Sequence, residues 1–128
     1  MIAIDTSAAI AMILAEPGHD RLAQALAAEP ERTMSAVSNV ELVMVLSRTY
    51  SQPQQIAENF IAEMRIGVAA LDSAQVRWAM HAFLTYGKGR NPARLNLGDC
   101  FSYAVAKAHD APLLFAGNDF SLTDIRRS

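Results

Sequence analysis

Four carboxylates in this sequence stand where strands end and helices begin: Asp5, Glu41, Asp99 and Asp119. Asp5 directly follows an apolar run at residues 1–4, and Asp119 trails another at residues 112–115. Glu41 and Asp99 fall in the first turns of helical segments. Each has an ordinary use. Asp5 can cap a helix, Ser38-x-x-Glu41 has the form of a capping box, Asp99 can complement a helix dipole, and Asp119 suits a turn. In one pocket, however, four carboxylates repel one another unless something neutralises them. Mg²⁺ or Mn²⁺ does so, because hard cations take oxygen ligands and retain water. A site of acids alone then suits phosphodiester hydrolysis by metal-activated water, with no nucleophilic side chain.

The elements that would have to gather these acids are readable from pattern and punctuation. Residues 1–4 read as a short buried strand, after which Thr6 or Ser7 caps a helix carrying Ala8, Ile10, Ile13 and Leu14. Pro17-Gly18 ends that helix, and residues 20–28 resume a helical pattern through Leu22 and Leu26. A second strand is expected at 33–37 and a helix with a broad apolar face at 38–50. Pro53 opens the next helix, with Ile56, Phe60 and Met64 on one side and Gly67 at its end. A strand at 68–71, a helix at 73–86, a polar basic loop at 87–96, a helix at 98–109 and a strand at 112–115 complete the chain.

Short apolar strands alternating with helices predict an α/β fold: a parallel sheet of four to five strands flanked by helices, in one domain over residues 1–128. In such sheets the functional crevice lies beyond the carboxyl ends of the strands. That rule brings Asp5, Glu41 and Asp119 to one rim, which Asp99 can reach from its helix.

Composition narrows the setting. No apolar run approaches the ~20 residues of a membrane span, and no basic segment precedes the apolar N-terminus. The lone Cys100 cannot form an internal disulfide, so the cytoplasm is the expected compartment and no membrane partner is expected. A net charge of −2 denies the chain a generally basic surface, so nucleic-acid binding would need a local patch. Lys88, Arg90 and Arg94 offer one in the loop leading to Asp99. His19, His81 and His109 lack zinc-ligand spacing, and Cys100 has no neighbouring base. Neither G-x-G-x-x-G nor a Walker A sequence occurs. A phosphoacceptor signalling domain built on Asp72 would want an acidic pair after the first strand and a lysine after the last. Asp5-Thr6 and Gly117-Asn118-Asp119 supply neither.

The motifs together resemble the PIN-domain ribonucleases, and among them the VapC toxins of toxin–antitoxin systems. Ile2-Ala3-Ile4-Asp5-Thr6-Ser7 is similar to the family's opening strand and D-x-S, and Ser38-x-x-Glu41 to its second acidic position. Residues 93–100, ending Leu97-Gly98-Asp99-Cys100, resemble the third. Leu113-Leu114-Phe115-Ala116-Gly117-Asn118-Asp119-Phe120 with Thr123-Asp124-Ile125 resembles the closing motif. The resemblance implies a PIN-like fold and a Mg²⁺-dependent endoribonuclease, with Mn²⁺ as a substitute, leaving a 5′-phosphate and a 3′-hydroxyl. Asp5 and Asp99 would be the principal metal ligands, Glu41 and Asp119 would complete the site, and Ser7 would orient a ligand or water. RNA is the implied substrate and a VapB-type antitoxin the implied inhibitor, its C-terminal segment covering the acidic pocket. The apolar helices between Ser38 and Met64 further suggest a homodimer. The competing expectation is a PIN-like module that binds RNA or protein without cutting. The short tail after Ile125 leaves little room for the extra strand some relatives carry.

Overall fold

A computed structural model describes all residues 1–128. Its parallel sheet is made of four very short strands, β1 (Ile2–Ile4), β2 (Arg32–Ser35), β3 (Gly67–Ala69) and β4 (Leu113–Leu114). Their order is β3-β2-β1-β4 and every pairing is parallel. The connections are helical: α1 (Thr6–Ile13), α2 (His19–Ala27), α3 (Ala36–Leu46), α4 (Pro53–Glu63), α5 (Ser73–Tyr86) and α6 (Leu97–Ala108).

The sheet is buried on both faces, as a parallel sheet with helical crossovers must be. Side chains alternate along β1, so Ile2 and Ile4 enter one core while Ala3 enters the other. The first core joins Leu22, Leu26, Met34, Leu42 and Leu46 from α2, β2 and α3. The second joins Ala82, Tyr103, Val105, Leu113 and Phe115 from α5, α6 and the β4 segment. The two hydrophobic layers fix the strands in register, and with them the rim where the strands end. No helix is long and apolar enough to cross a membrane.

Local signals resolve differently from the sequence expectation at four places. Asp5 itself caps α1, accepting the Ser7 amide at 3.0 Å, so neither Thr6 nor Ser7 has that role. Ser35, not Ser38, caps α3, which starts at Ala36, and the Ser38-x-x-Glu41 capping box does not form. The capping box that does form joins Asn96 to Asp99 at the start of α6. Gly67 is the first residue of β3, and the chain leaves α4 through Arg65 in the left-handed region at φ 52°.

The tail contributes a bridge and not a full fifth strand. Leu113 donates to the Arg126 carbonyl at 2.9 Å and accepts from the Ser128 amide at 3.1 Å, extending the outer edge of β4 by one residue pair. Further contacts fasten the connecting segment. Phe120 packs on Phe115 at 5.2 Å between ring centres, and Asp124 takes hydrogen bonds from the Tyr103 hydroxyl and the Lys107 ammonium, each at 2.8 Å. These contacts hold the loop that carries Asp119.

Candidate active site

Asp5 follows β1 at the carboxyl edge of the sheet and is 4% exposed. One of its oxygens, Oδ2, accepts the Ser7 hydroxyl at 2.6 Å and the Ser7 amide at 3.0 Å. The other, Oδ1, accepts the Ser102 hydroxyl of α6 at 2.6 Å. Both hydroxyls are themselves held. Ser7 Oγ accepts the Ala116 amide beyond β4 at 3.1 Å, and Ser102 Oγ lies 3.0 Å from Ser38 Oγ of α3. The Thr6 hydroxyl adds a bond to the Ser38 carbonyl at 3.4 Å. One carboxylate therefore ties together the segments that carry the other three acids. Ser7, expected to orient a ligand or water, is bonded to Asp5.

Asp99 sits in the first turn of α6, 9% exposed, its Oδ2 accepting the Asn96 amide at 3.0 Å. Burial pushes its carboxyl up to about 7; the Asn96 amide opposes the shift, while repulsion from Asp5, Asp119 and Glu41 adds to it. Those three acids are thus close enough for Asp99 to feel them all. Glu41, half-buried on α3, lies hard against Gly98: a Cβ at that position would fall on the Glu41 carboxylate. A larger residue before Asp99 would therefore have to push the Glu41 carboxylate aside. Asp119 is exposed on the loop after β4 and shares a groove with Lys88, Arg94, Asn96, Asp99 and Asn118.

The basic loop divides. Lys88 and Arg94 line that groove, but Arg90 turns back onto α5, its Nε donating to the Leu84 carbonyl at 3.3 Å and its guanidinium lying 5.7 Å above Phe83. Arg90 thus points away from the groove that Lys88 and Arg94 line. The loop is braced by the Lys88 amide on the Leu95 carbonyl and by Asn91 Oδ1 accepting the Ala93 amide, each at 2.9 Å. Arg94 occupies the left-handed region at φ 57°. Cys100 is buried, and burial with the nearby Asp99 pushes its thiol up to about 11, which leaves it inert as a nucleophile.

The donor set fits a hard divalent cation. None of the four acids is paired with a cationic side chain, although Asp20, Glu29, Asp110 and Asp124 all have ion-pair partners elsewhere. No three acidic, histidine or cysteine side chains close into a ready-made cage. The oxygen donors themselves are of the kind Mg²⁺ takes, one or two carboxylates with several waters retained. Ser38, Ser102, Asn96 and Asn118 are the polar residues here that sequence reasoning did not single out as part of a site. Ser102 gave a signal as the one serine in the apolar stretch 100–106.

Residues 2–125 match the profile of the PIN domain family. Ribonuclease VapC of Mycolicibacterium smegmatis is 42% identical over 123 residues, covering 95% of each chain. Ribonuclease VapC42 of Mycobacterium tuberculosis is 42% identical over 126 residues, covering 96% of this chain and 95% of its own. Among solved structures, VapBC-1 of nontypeable Haemophilus influenzae superposes with a TM-score of 0.76 at 19% identity, covering all of this chain and 97% of the other. Mycobacterium tuberculosis VapC20, described as a toxin that cleaves the sarcin–ricin loop, gives 0.74 at 19% identity over all of this chain and 98% of its own.

The raised Asp99 carboxyl has a consequence for stability without metal. A folded-state pKa above the unfolded 3.8 favours the fold at low pH, and that contribution is lost as pH rises toward about 7. Replacing Asp99 by Asn is therefore expected to stabilise the protein in EDTA at pH 8, by up to ~4 kcal/mol. The gain should shrink to nearly nothing by pH 4. Urea unfolding at the two pH values checks this, and a variant less stable than wild type at pH 8 would contradict it.

Proposed function

The chain belongs to the PIN-domain family and, within it, to the VapC ribonucleases, and from that premise we propose a Mg²⁺-dependent endoribonuclease, the toxin of a VapBC module. The observation that carries the metal dependence is Asp99: a buried carboxyl pushed up to about 7 amid three further acids, none of the four paired with a cationic side chain. Mg²⁺ bound there, or Mn²⁺ in its place, would activate water for attack on phosphorus and offset charge on the phosphate.

The side chains divide the remaining work. Asp5 and Asp99 would hold the cation, and Glu41 and Asp119 would complete its acidic surroundings. Ser7 and Ser102 keep Asp5 from turning. Lys88 and Arg94 meet the RNA backbone on the groove side, where their charge offsets the repulsion between phosphate and the acidic rim. The exposed position of Asp119 on its loop leaves the groove open to a polymer. Water attack leaves a 5′-phosphate and a 3′-hydroxyl.

A VapB-type antitoxin is the proposed partner, supported by the VapBC complexes among the structural relatives. RNA as substrate and a single buried cysteine favour the cytoplasm. A homodimer is supported by Val40, Met44 and Val68, which leave an apolar strip exposed along α3 and the sheet edge at β3.

Purified, antitoxin-free protein should cut total cellular RNA into discrete fragments with Mg²⁺ or Mn²⁺ and not with EDTA. Asp99→Asn should lower the rate by ~100-fold or more, the scale of losing several kcal/mol of charge stabilisation. A folded protein that cuts with no metal, or whose Asn variant cuts equally well, would contradict the reading. Sedimentation of the same sample is expected to give twice the chain mass; a monomer at high concentration would remove the dimer.

A further inference from the structure

The contacts of Asp5 allow a count of what it has left to offer. A carboxylate has about four acceptor positions on its two oxygens. Oδ2 receives two donors from Ser7, and Oδ1 receives one from Ser102. The position that stays free is on Oδ1.

A hydroxyl carries a single proton. Ser102 uses its proton on Asp5 at 2.6 Å, so in the 3.0 Å contact between the two serines it must be Ser38 that donates. The bonds run in one direction, from Ser38 of α3 to Ser102 of α6 to Asp5 of β1. Ser38 is 0% exposed and Ser102 is 1% exposed, so solvent cannot replace either hydroxyl. Chains of hydrogen bonds in such low-dielectric surroundings strengthen one another.

We propose that Ser102, backed by Ser38, is a positioning residue for the metal: it fixes the carboxylate plane of Asp5 and leaves Oδ1 with one open position, making Asp5 a one-oxygen ligand. The torsion that turns a carboxylate about its last carbon–carbon bond is broad and weakly held by itself. Ser7 restrains one oxygen; without Ser102 the other has no donor and the group can rotate to present a different edge. The proposal rests on the metal-nuclease reading and adds to it which hydroxyls set the geometry of the first ligand. Because α3 also carries Glu41 and α6 also carries Asp99, the same two serines set the spacing of the three acids.

The test uses the full chain, freed of antitoxin and metal, as wild type, Ser102→Ala, Ser38→Ala and the double variant. Mn²⁺ affinity is read by electron paramagnetic resonance of the free ion, independently of cleavage, and kcat and KM are read on an RNA oligonucleotide. Ser102→Ala is expected to bind Mn²⁺ ~10-fold more weakly, the usual scale for losing a hydrogen bond behind a ligand, and to lower kcat while leaving KM for RNA unchanged. Ser38→Ala should shift both in the same direction by less. The double variant should match Ser102→Ala, because Ser38 acts only through Ser102.

Wild-type Mn²⁺ affinity in Ser102→Ala, even with a lowered melting temperature, would make the serine a packing residue and overturn the proposal. So would additive losses in the double variant. If Ser102→Ala does not fold, Ser38→Ala decides alone: unchanged affinity overturns the relay and a several-fold loss supports it. Failure of the nuclease reading shows itself separately, in a wild type that binds no Mn²⁺ and cuts nothing.

Discussion

The site depends on how a buried carboxylate is held without a cation. Asp5 is fixed by hydroxyls and an amide, and its bonds reach α1, α3, α6 and the segment beyond β4. Strands of two to four residues give little lateral pairing of their own, so these polar links tie the rim where hydrophobic packing ends. The two cores set where the strands end; the serines set where the acids point. A buried polar network of this kind is costly when incomplete and rigid when satisfied. Here each hydroxyl has its partner.

The second constraint is electrostatic. The fold places Asp99 in low-polarity surroundings beside three acids, and none of the four acids forms an ion pair with a cationic side chain. The acids are left with a repulsion that only a bound cation or a proton relieves. The backbone of α6 helps in one respect, since the Asn96 amide on Asp99 opposes part of the cost of burial. Lys88 and Arg94 line the groove that Asp99 and Asp119 share. On the proposed reading, this placement gives a chain of net charge −2 a local basic patch for RNA.

Much of the architecture could be read in advance because it is locally encoded. The helix at 73–86 matched α5 residue for residue, its start marked by Asp72 and its end by Gly87. Local patterning gave the four strands to within a few residues, and the strand-end rule pointed to Asp5, Glu41 and Asp119 at one rim, with Asp99 reaching it from its helix. Errors came where one local signal had two uses. Ser35 and Ser38 can each cap a helix, and only tertiary contact turned Ser38 toward Ser102. Side-chain direction was equally hidden, so Arg90 counted with Lys88 and Arg94 until its packing on α5 was seen. The bond from Ser102 to Asp5 spans 97 residues of sequence, beyond the reach of any periodicity. The Gly98–Glu41 contact likewise exists only once α3 lies against α6.

The central claim, that this acidic cluster is incomplete without a divalent cation, is tested most directly by the protons released when one binds. Calorimetric titration of Mg²⁺ into the metal-free protein at pH 7, in two buffers of different ionisation enthalpy, measures that number. With Asp99 near 7, binding should expel about half a proton per chain, more at pH 6 and less at pH 8. Binding with no proton release at any of these pH values, or no binding at all, would contradict the account.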